Sequence, residues 1–102
     1  MTELLSKLEQ KISIKFKDQK LLERALIHKS HNNNYNNEKL EFLGDRVLGL
    51  VLAKTLLKIY PEEKEGVIDK KFANLVNKKT CLLVAKKIEL KKYIITGNSY
   101  KG

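Results

Sequence analysis

This sequence contains very little cysteine, proline or glycine, and each shortage limits what the chain can form. Its one cysteine, Cys81, cannot form a disulfide within the chain, which fits a reducing, cytoplasmic compartment. The apolar neighbours at 82–84 predict that this thiol is packed in the core and is not a nucleophile. No cluster of cysteine and histidine has the spacing of a zinc site. One proline and five glycines give few turn signals, so long uninterrupted elements are expected.

The sequence also lacks an apolar run long enough to cross a membrane. The longest run, 47–53, is bounded by Arg46 and Lys54 and is far shorter than a membrane-spanning helix. The first residues lack the basic segment and long apolar run of a signal peptide. We therefore expect a cytoplasmic protein without a membrane partner.

Acidic residues are the minority, with 12 against 21 basic residues and a net charge of +9. A basic protein of this size suits a polyanionic partner, with nucleic acid first and a membrane surface second. Nearly all of the positive charge is lysine, and Lys, Asn and Ile are plentiful together, as in proteins from AT-rich genomes. Charge alone therefore favours nucleic-acid binding and a simple bias of composition about equally.

What the sequence does contain is helical periodicity along nearly its whole length, which predicts an all-α protein. The first predicted helix is Thr2–Ile12. The second follows the N-cap Asp18, and its inward-facing residues are Leu21, Leu22, Ala25 and Leu26. The third helix runs from a cap at Asn36 or Asn37 to about Tyr60, the fourth from 65–67 past 76, and the fifth over 80–88. Pro61 stops the third helix. Residues 93–102 lose the periodicity.

The third helix carries an acidic stripe. Glu38, Glu41 and Asp45 are spaced i, i+3 and i+7, which places them within a sector of roughly 60° on one face. Apolar residues fill most other positions between 40 and 52, so this helix is predicted to be central and mostly buried. Carboxylates are the side chains least expected on such a helix.

A solvated face with ion pairs and a metal site both explain acidic stripes. Neither Glu41 nor Asp45 has a basic neighbour at helical spacing, and together they repel by about 0.2–0.5 kcal/mol if exposed. Mg²⁺ removes this conflict because it prefers carboxylate oxygens, so we favour a metal site. Glu38 is weaker evidence, because the helix dipole also favours an acid in the first turn. Gly44 costs about 1 kcal/mol relative to Ala, which favours close packing of another backbone over mere tolerance.

The run E-K-L-E-F-L-G-D-R-V-L at 38–48 resembles the ribonuclease III family motif E-x-L-E-F-L-G-D-x-V-L. The run A-L-I-H-K-S at 25–30 resembles the family's A-L-T-H-x-S, and the likeness continues through 65–76 and 90–97. The resemblance implies an all-helical, homodimeric endonuclease domain that hydrolyses double-stranded RNA with Mg²⁺, or with Mn²⁺ as a possible substitute. It also implies processing of rRNA, mRNA and tRNA precursors, with the duplex recognised by its shape.

The family's functional residues carry over to matching positions of this sequence. By this resemblance Glu41 and Asp45 are metal ligands and catalytic carboxylates. Glu38 and Glu65 line the edge of the cleavage site. The family dimerises through the motif helix, and Phe42 is expected to fit a pocket of the partner; the alternative is that it fills its own core.

The sequence departs from the family at two positions and in two larger segments. Asp69 stands where many members carry Ser or Thr, and Phe72 stands where many carry Arg. Loss of this Arg affects a local ion pair or RNA contact unless Lys70 or Lys71 substitutes for it. The family's later acidic helix, of the form D-x-x-E-A-L-I-G-A, and its double-stranded-RNA-binding domain have no match in residues 1–102. We therefore expect residues 1–102 to be the N-terminal portion of a truncated catalytic domain, and to be inactive alone.

Two other classes of function are alternatives to the enzyme. A non-catalytic member of the same family would dimerise or hold RNA without cutting it, and RNA cleavage compared with a gel shift separates these cases. A carboxylate-bridged di-iron bundle needs Glu-x-x-His pairs, which this sequence lacks. The two histidines stand away from the acidic stripe, and His28 is expected to be a satisfied core or helix-end residue and not a ligand.

Overall fold

The computed structural model describes residues 2–97, which form five α-helices and one 3₁₀ turn. The helices are α1 (Thr2–Ile12), α2 (Gln19–Leu26), α3 (Glu38–Ile59), α4 (Glu65–Val76) and α5 (Lys78–Lys87), and the 3₁₀ turn is Leu90–Lys92. The described residues contain no strand; Ile27 and Ile95 form one isolated parallel bridge. The predicted all-α class is confirmed, and each predicted helix lies within a few residues of an observed one.

Side-chain caps explain where α2 and α5 begin. The carboxylate of Asp18 accepts a hydrogen bond from the Leu21 amide at 3.1 Å, which confirms the predicted cap of α2. The side chain of Asn77 accepts from the Thr80 amide at 2.8 Å, so one residue ends α4 and starts α5. This cap places the start of α5 two residues earlier than the sequence predicts.

A small core joins the two ends of the described chain. Leu5 and Leu8 of α1 pack with Leu22 and Leu26 of α2, and Tyr93 closes the cluster from beyond the 3₁₀ turn. These side chains follow the helical periodicity seen in the sequence. Two other residues of α2 that were predicted to face inward, Leu21 and Ala25, are exposed.

The prediction that α3 is central and mostly buried is wrong within residues 2–97. Leu56 alone among its residues is buried, whereas Phe42 is 63% exposed and Leu50 is 72% exposed. Helix α4 packs against α3, and Phe72 Cζ lies 3.5 Å from the position of a Cβ atom on Gly49. One neighbouring helix covers one side only, so apolar positions around the rest of α3 face outward.

Helix α5 is also exposed on its apolar side. Cys81 is exposed, so the prediction of a packed thiol is wrong. Its neighbours Leu82, Leu83 and Val84 are exposed as well. The sequence correctly grouped these residues as apolar, but no described element covers them.

The described chain is elongated, with extents of 53 × 26 × 23 Å and a radius of gyration of 16.2 Å. A compact domain of 100 residues has a radius of gyration of about 13 Å. The difference agrees with the separation of the α1–α2 core from the exposed helices α3 and α5. Among residues 2–97, no helix combines the length and apolar character that spanning a bilayer requires.

Candidate metal site

The acidic stripe occupies the first two turns of α3 and faces outward. Glu38, Glu41 and Asp45 are all exposed. Within residues 2–97, none of their carboxylates forms an ion pair or accepts a side-chain hydrogen bond. The face is therefore solvated but lacks the ion pairs that a purely structural explanation requires. Three carboxylates without ion-pair partners therefore lie along one helix face, without converging on one point.

A buried asparagine fixes the start of this helix. The Asn36 side chain donates to the carbonyl oxygens of Asn32, at 3.0 Å, and Asn33, at 3.2 Å. Its Oδ1 accepts from the Glu38 amide at 3.0 Å, so it satisfies one of the free amides of the first turn. The sequence named Asn36 as a possible cap but gave no sign of its burial. The Asn-rich segment is thus an ordered support for the acidic turn.

The guanidinium group of Arg24 also holds the Asn-rich segment in place. Arg24 of α2 donates from Nε to the Asn36 carbonyl oxygen at 2.9 Å. The Arg24 guanidinium also lies 4.8 Å from the centre of the Tyr35 ring. This contact gives Tyr35 a packing role. Arg24 therefore links helix α2, which is part of the core, to the segment that precedes the acidic first turn of α3.

The donors of the stripe fit Mg²⁺ chemically, but they are few. Side chains at i and i+4, such as Glu41 and Asp45, have Cβ atoms about 5–6 Å apart on a helix. Mg²⁺ is commonly held by one or two carboxylates, with water and substrate phosphate completing its shell. No group of three or more Asp, Glu, His or Cys side chains converges within the described part of the chain. The pair can supply part of a magnesium site.

Glu65 lies elsewhere on the surface. It is the first residue of α4 and lines a depression of about 250 Å³ together with Asp69, Phe72 and Ala53. Ala53 follows Asp45 by eight residues, which is about 12 Å along the helix axis. Within one chain, Glu65 is therefore not gathered with the acidic pair. Phe72 contributes an apolar side chain to this depression, beside the carboxylates of Glu65 and Asp69.

Phe42 projects from α3 on its exposed surface and carries a cation with it. The Arg46 guanidinium lies 3.9 Å from the centre of the Phe42 ring, and its Nη1 donates to the Phe42 carbonyl oxygen at 3.1 Å. In residues 2–97, Phe42 does not fill a core of its own, so that alternative fails. An exposed aromatic side chain stacked with arginine is typical of protein interfaces.

Gly44 lies between the two acids in sequence, and its surroundings are open. A Cβ atom placed there would have no described neighbour within 4 Å. The close packing predicted from its helix-interior position is therefore not provided by residues 2–97. A backbone that packs against Gly44 would have to come from outside residues 2–97.

Comparison with known proteins defines the class to which this fold and acidic face belong. The family model described as Ribonuclease-III-like matches residues 18–101, and the chain belongs to this family. A protein named Ribonuclease 3 from Pelagibacter ubique (strain HTCC1062) is 65% identical over 92 residues, which cover 90% of this chain and 41% of that protein. A Ribonuclease 3 from Sulfurovum sp. (strain NBC37-1) is 47% identical over 89 residues, covering 87% of this chain and 40% of that protein. The chain thus spans about two fifths of the length of these relatives.

Solved structures show the same fold. A nuclease domain of ribonuclease III from Campylobacter jejuni superposes with a TM-score of 0.84 at 44% identity, covering 88% of this chain and 63% of that one. Its description concerns structural flexibility in a region involved in dimer formation. A second structure of that nuclease domain, at 2.2 Å resolution, superposes with a TM-score of 0.83 and covers 89% of this chain and 62% of the other.

Proposed function

We propose that this chain is the N-terminal portion of the catalytic domain of an endoribonuclease that hydrolyses phosphodiester bonds in double-stranded RNA. The observation that carries the proposal is the solvent-exposed, unneutralised pair Glu41 and Asp45 at the anchored end of α3. Membership of the ribonuclease III family supports the same activity. The partial coverage of a nuclease domain and of the longer relatives supports the assignment as a portion of the domain.

In this proposal Glu41 and Asp45 are the metal-binding and catalytic carboxylates, and Mg²⁺ is the cofactor, with Mn²⁺ as a substitute. When bound, the metal supplies an activated water and offsets the negative charge that develops on the phosphate. The two carboxylates hold their charges at a spacing set by the helix. Asn36 limits movement of the first turn through its three hydrogen bonds. Glu38 and Glu65 lie toward the edges of the cleavage site.

We infer a homodimer formed through α3, with Phe42 at the interface. The support is the exposed apolar surface of α3 and the projecting Phe42–Arg46 pair. Truncating an aromatic side chain that is buried at the centre of an interface can weaken binding by about 2 kcal/mol. The dimer also gives a reason for the exposure of a helix that the sequence marks as a core helix.

The partner is proposed to be the RNA duplex, in rRNA, mRNA and tRNA precursors within the cytoplasm. The net charge of +9 supports attraction to phosphates, and the acidic face is the local exception to it. Lys71 lies 4.3 Å from the centre of the Tyr60 ring, so this lysine is partly committed within the chain. Lys70, which is exposed, is therefore the better replacement for the missing arginine at 72.

The test is a chimaera in which residues 1–97 of this chain replace the matching segment of the Pelagibacter ubique ribonuclease 3. This relative is chosen because it is 65% identical over 92 residues. We expect the chimaera to cut a labelled RNA duplex when Mg²⁺ is supplied. Asp45→Asn should abolish cutting and leave duplex binding, because the amide keeps the shape but loses the charge that holds the cation. Glu41→Gln should behave alike, and Glu38→Gln more mildly.

The matched control is Glu3→Gln, which removes one exposed carboxylate from α1, far from the acidic stripe in sequence. It should leave cutting unchanged. Normal cleavage by the Asp45→Asn chimaera with Mg²⁺ present would show that the site is assigned wrongly. Equal loss in the Glu3→Gln chimaera would show that the assay responds to net charge and not to the site.

A non-catalytic role, in which the family fold dimerises or holds RNA, is the second candidate. It is favoured by one observation, that no group of three potential ligands converges within residues 2–97. A gel shift with an RNA duplex, measured beside cleavage, separates the two. A chimaera that binds the duplex but does not cut it at any Mg²⁺ or Mn²⁺ concentration would support this candidate.

A further inference from the structure

The loop after α2 sits between two other parts of the chain. On one side, the His28 amide donates to the Ile95 carbonyl oxygen and the Ile95 amide donates to the Leu26 carbonyl oxygen, both at 2.8 Å. On the other side, the Ile27 carbonyl oxygen accepts from the Asn37 amide at 2.9 Å. Successive peptide groups of an extended segment point in opposite directions, which explains this alternation. One short segment therefore binds both residues 94–97 and the start of α3.

Two further contacts strengthen these connections. The Asn37 side chain donates to the Ala25 carbonyl oxygen at 3.2 Å, so the residue before α3 is held at two points. Gly97 approaches the same loop so closely that a Cβ atom on it would lie 2.9 Å from the Ser30 carbonyl oxygen. Its amide donates to the Ser30 hydroxyl at 3.0 Å. The absence of a side chain at Gly97 permits this approach.

His28 completes the arrangement. Its Nδ1 accepts from the Ser30 backbone amide at 3.1 Å and lies 2.8 Å from the Ser30 hydroxyl oxygen. A backbone amide can only donate, so Nδ1 must be the acceptor and the ring proton must be on Nε2. The hydroxyl then accepts from the Gly97 amide and shares the single lone pair of Nδ1 with the Ser30 amide, in a three-centre hydrogen bond. The result is a directed chain of hydrogen bonds from Gly97 through Ser30 to His28.

We propose that His28, as its Nε2-protonated tautomer, is a positioning residue that acts through Ser30 and Gly97 to hold residues 94–97 on the loop and, through that loop, to place the first turn of α3. The tie is the set His28, Ser30 and Gly97. The His28 ring fixes the orientation of the Ser30 hydroxyl, and this hydroxyl holds the Gly97 amide. The loop at 26–28, which is hydrogen-bonded to Ile95, then holds the Asn37 amide. The claim that the tie helps to position the catalytic acids of α3 rests on the proposed function. The existence of the tie does not.

The first experiment measures the tautomer directly in the 102-residue chain by ¹⁵N chemical shifts of the His28 imidazole near neutral pH. We expect Nε2 to carry the proton and Nδ1 to have the shift of an unprotonated acceptor. A ring protonated on Nδ1, or an even mixture of tautomers, would overturn the proposal. This measurement needs no variant and no enzymatic activity.

The second experiment measures amide hydrogen exchange in variants of the same chain. His28→Ala should speed exchange at Gly97 and Ile95 by about tenfold, the effect of losing one net hydrogen bond, and should speed it at Asn37 as well. His28→Asn should restore slow exchange, because its Oδ1 stands where Nδ1 stood. His28→Gln is the matched control, since its amide oxygen lies one bond farther out and should not restore protection.

Unchanged exchange at all three amides in His28→Ala would overturn the tie. Fast exchange at Gly97 and Ile95 with Asn37 unaffected would overturn its link to α3. Amides of α1 report whether a variant is folded, because this helix packs in the core with Leu22, Leu26 and Tyr93. None of these results depends on RNA cleavage, so failure of the tie and failure of the proposed function are told apart.

Discussion

At the scale of single residues, Glu89 shows how one side chain connects distant parts of the chain. It has a left-handed backbone, with φ of 54°, and follows the end of α5. Its carboxylate pairs with Lys11 of α1 at 2.7 Å and with Lys92. Hydrogen bonding to Lys11 first, then to Lys92, lowers the pKa of Glu89 from 4.5 to about 2. This cluster joins α1 to the end of α5.

We predict a pH-dependent effect of Glu89→Gln. A carboxyl group whose pKa is lowered by folding adds stability above its ordinary value of 4.5, and that stability is lost as the pH falls toward about 2. The variant should therefore unfold at lower urea concentration than the natural chain near neutral pH, and at the same concentration near pH 2. The difference should shrink in high salt, because the pair is exposed. A constant difference at all pH values would contradict this explanation.

Asn36 gives a second prediction at this scale. Asn36→Ala removes three hydrogen bonds that a buried side chain makes to the backbone of Asn32, Asn33 and Glu38. We expect a loss of about 1–2 kcal/mol in the free energy of unfolding, measured with urea. Asn34→Ala is the control, because Asn34 is exposed in the same loop. Equal effects of the two substitutions would mean that the loop as a whole, and not the Asn36 anchor, matters.

At the scale of elements, α3 is the helix whose surface is least explained by the chain alone. We predict that Phe42→Ala weakens self-association of the ribonuclease chimaera by about 2 kcal/mol, roughly 30-fold in dissociation constant. Sedimentation equilibrium measures this. Leu21→Ala is the control, since it shortens another exposed apolar side chain on α2. A chimaera that is monomeric at micromolar concentration would contradict the proposed dimer.

Gly44 permits a test with opposite signs for fold and assembly. No described atom lies within 4 Å of a Cβ atom at this position, so Gly44→Ala should stabilise the helix of the isolated chain by about 0.5–1 kcal/mol. If another backbone packs there in the assembled protein, the same change should weaken that assembly. Circular dichroism during unfolding and sedimentation equilibrium give the two values. Stabilisation of the fold together with unchanged assembly would leave Gly44 as a tolerated residue.

The helices could be predicted from the sequence because their signals are local. The Asp18 cap, the position of Pro61 and the i, i+3 spacing of Leu5 and Leu8 act within a few residues. Coverage of a helix is not local. The apolar pattern around Phe42 marks residues that avoid water, but it does not say which chain covers them.

The candidate site divides in the same way. The spacing of Glu38, Glu41 and Asp45 fixes their shared face, so the stripe could be predicted. The distance of Glu65 from Glu41 and Asp45 depends on where along α3 the helix α4 begins to pack. The local sequence does not determine this position. The pairing of Ser30 with Gly97 spans 67 residues and left no signal beyond a glycine and a serine.

At the scale of the whole molecule, shape and surface point to the same property. A radius of gyration of 16.2 Å is larger than the roughly 13 Å of a compact domain of this length. Much of the excess surface is apolar and lies on α3 and α5. Contiguous exposed apolar surface of this kind favours association with another chain or segment. These 102 residues alone should therefore bind apolar dyes and associate at high concentration.

The last prediction is that these 102 residues, by themselves, cut duplex RNA slowly or not at all. Glu41 and Asp45 supply two carboxylates, and no third ligand converges on them within residues 2–97. A cation held by so few ligands keeps more water and is poorly fixed, and misplacement of reacting groups by about 1 Å can cost on the order of 100-fold in rate. Adding the remaining segment of the Pelagibacter ubique relative, fused or as a separate chain, should restore Mg²⁺-dependent cutting. Strong cleavage by the purified 102-residue chain, lost in Asp45→Asn so that contamination is excluded, would contradict this ligand count.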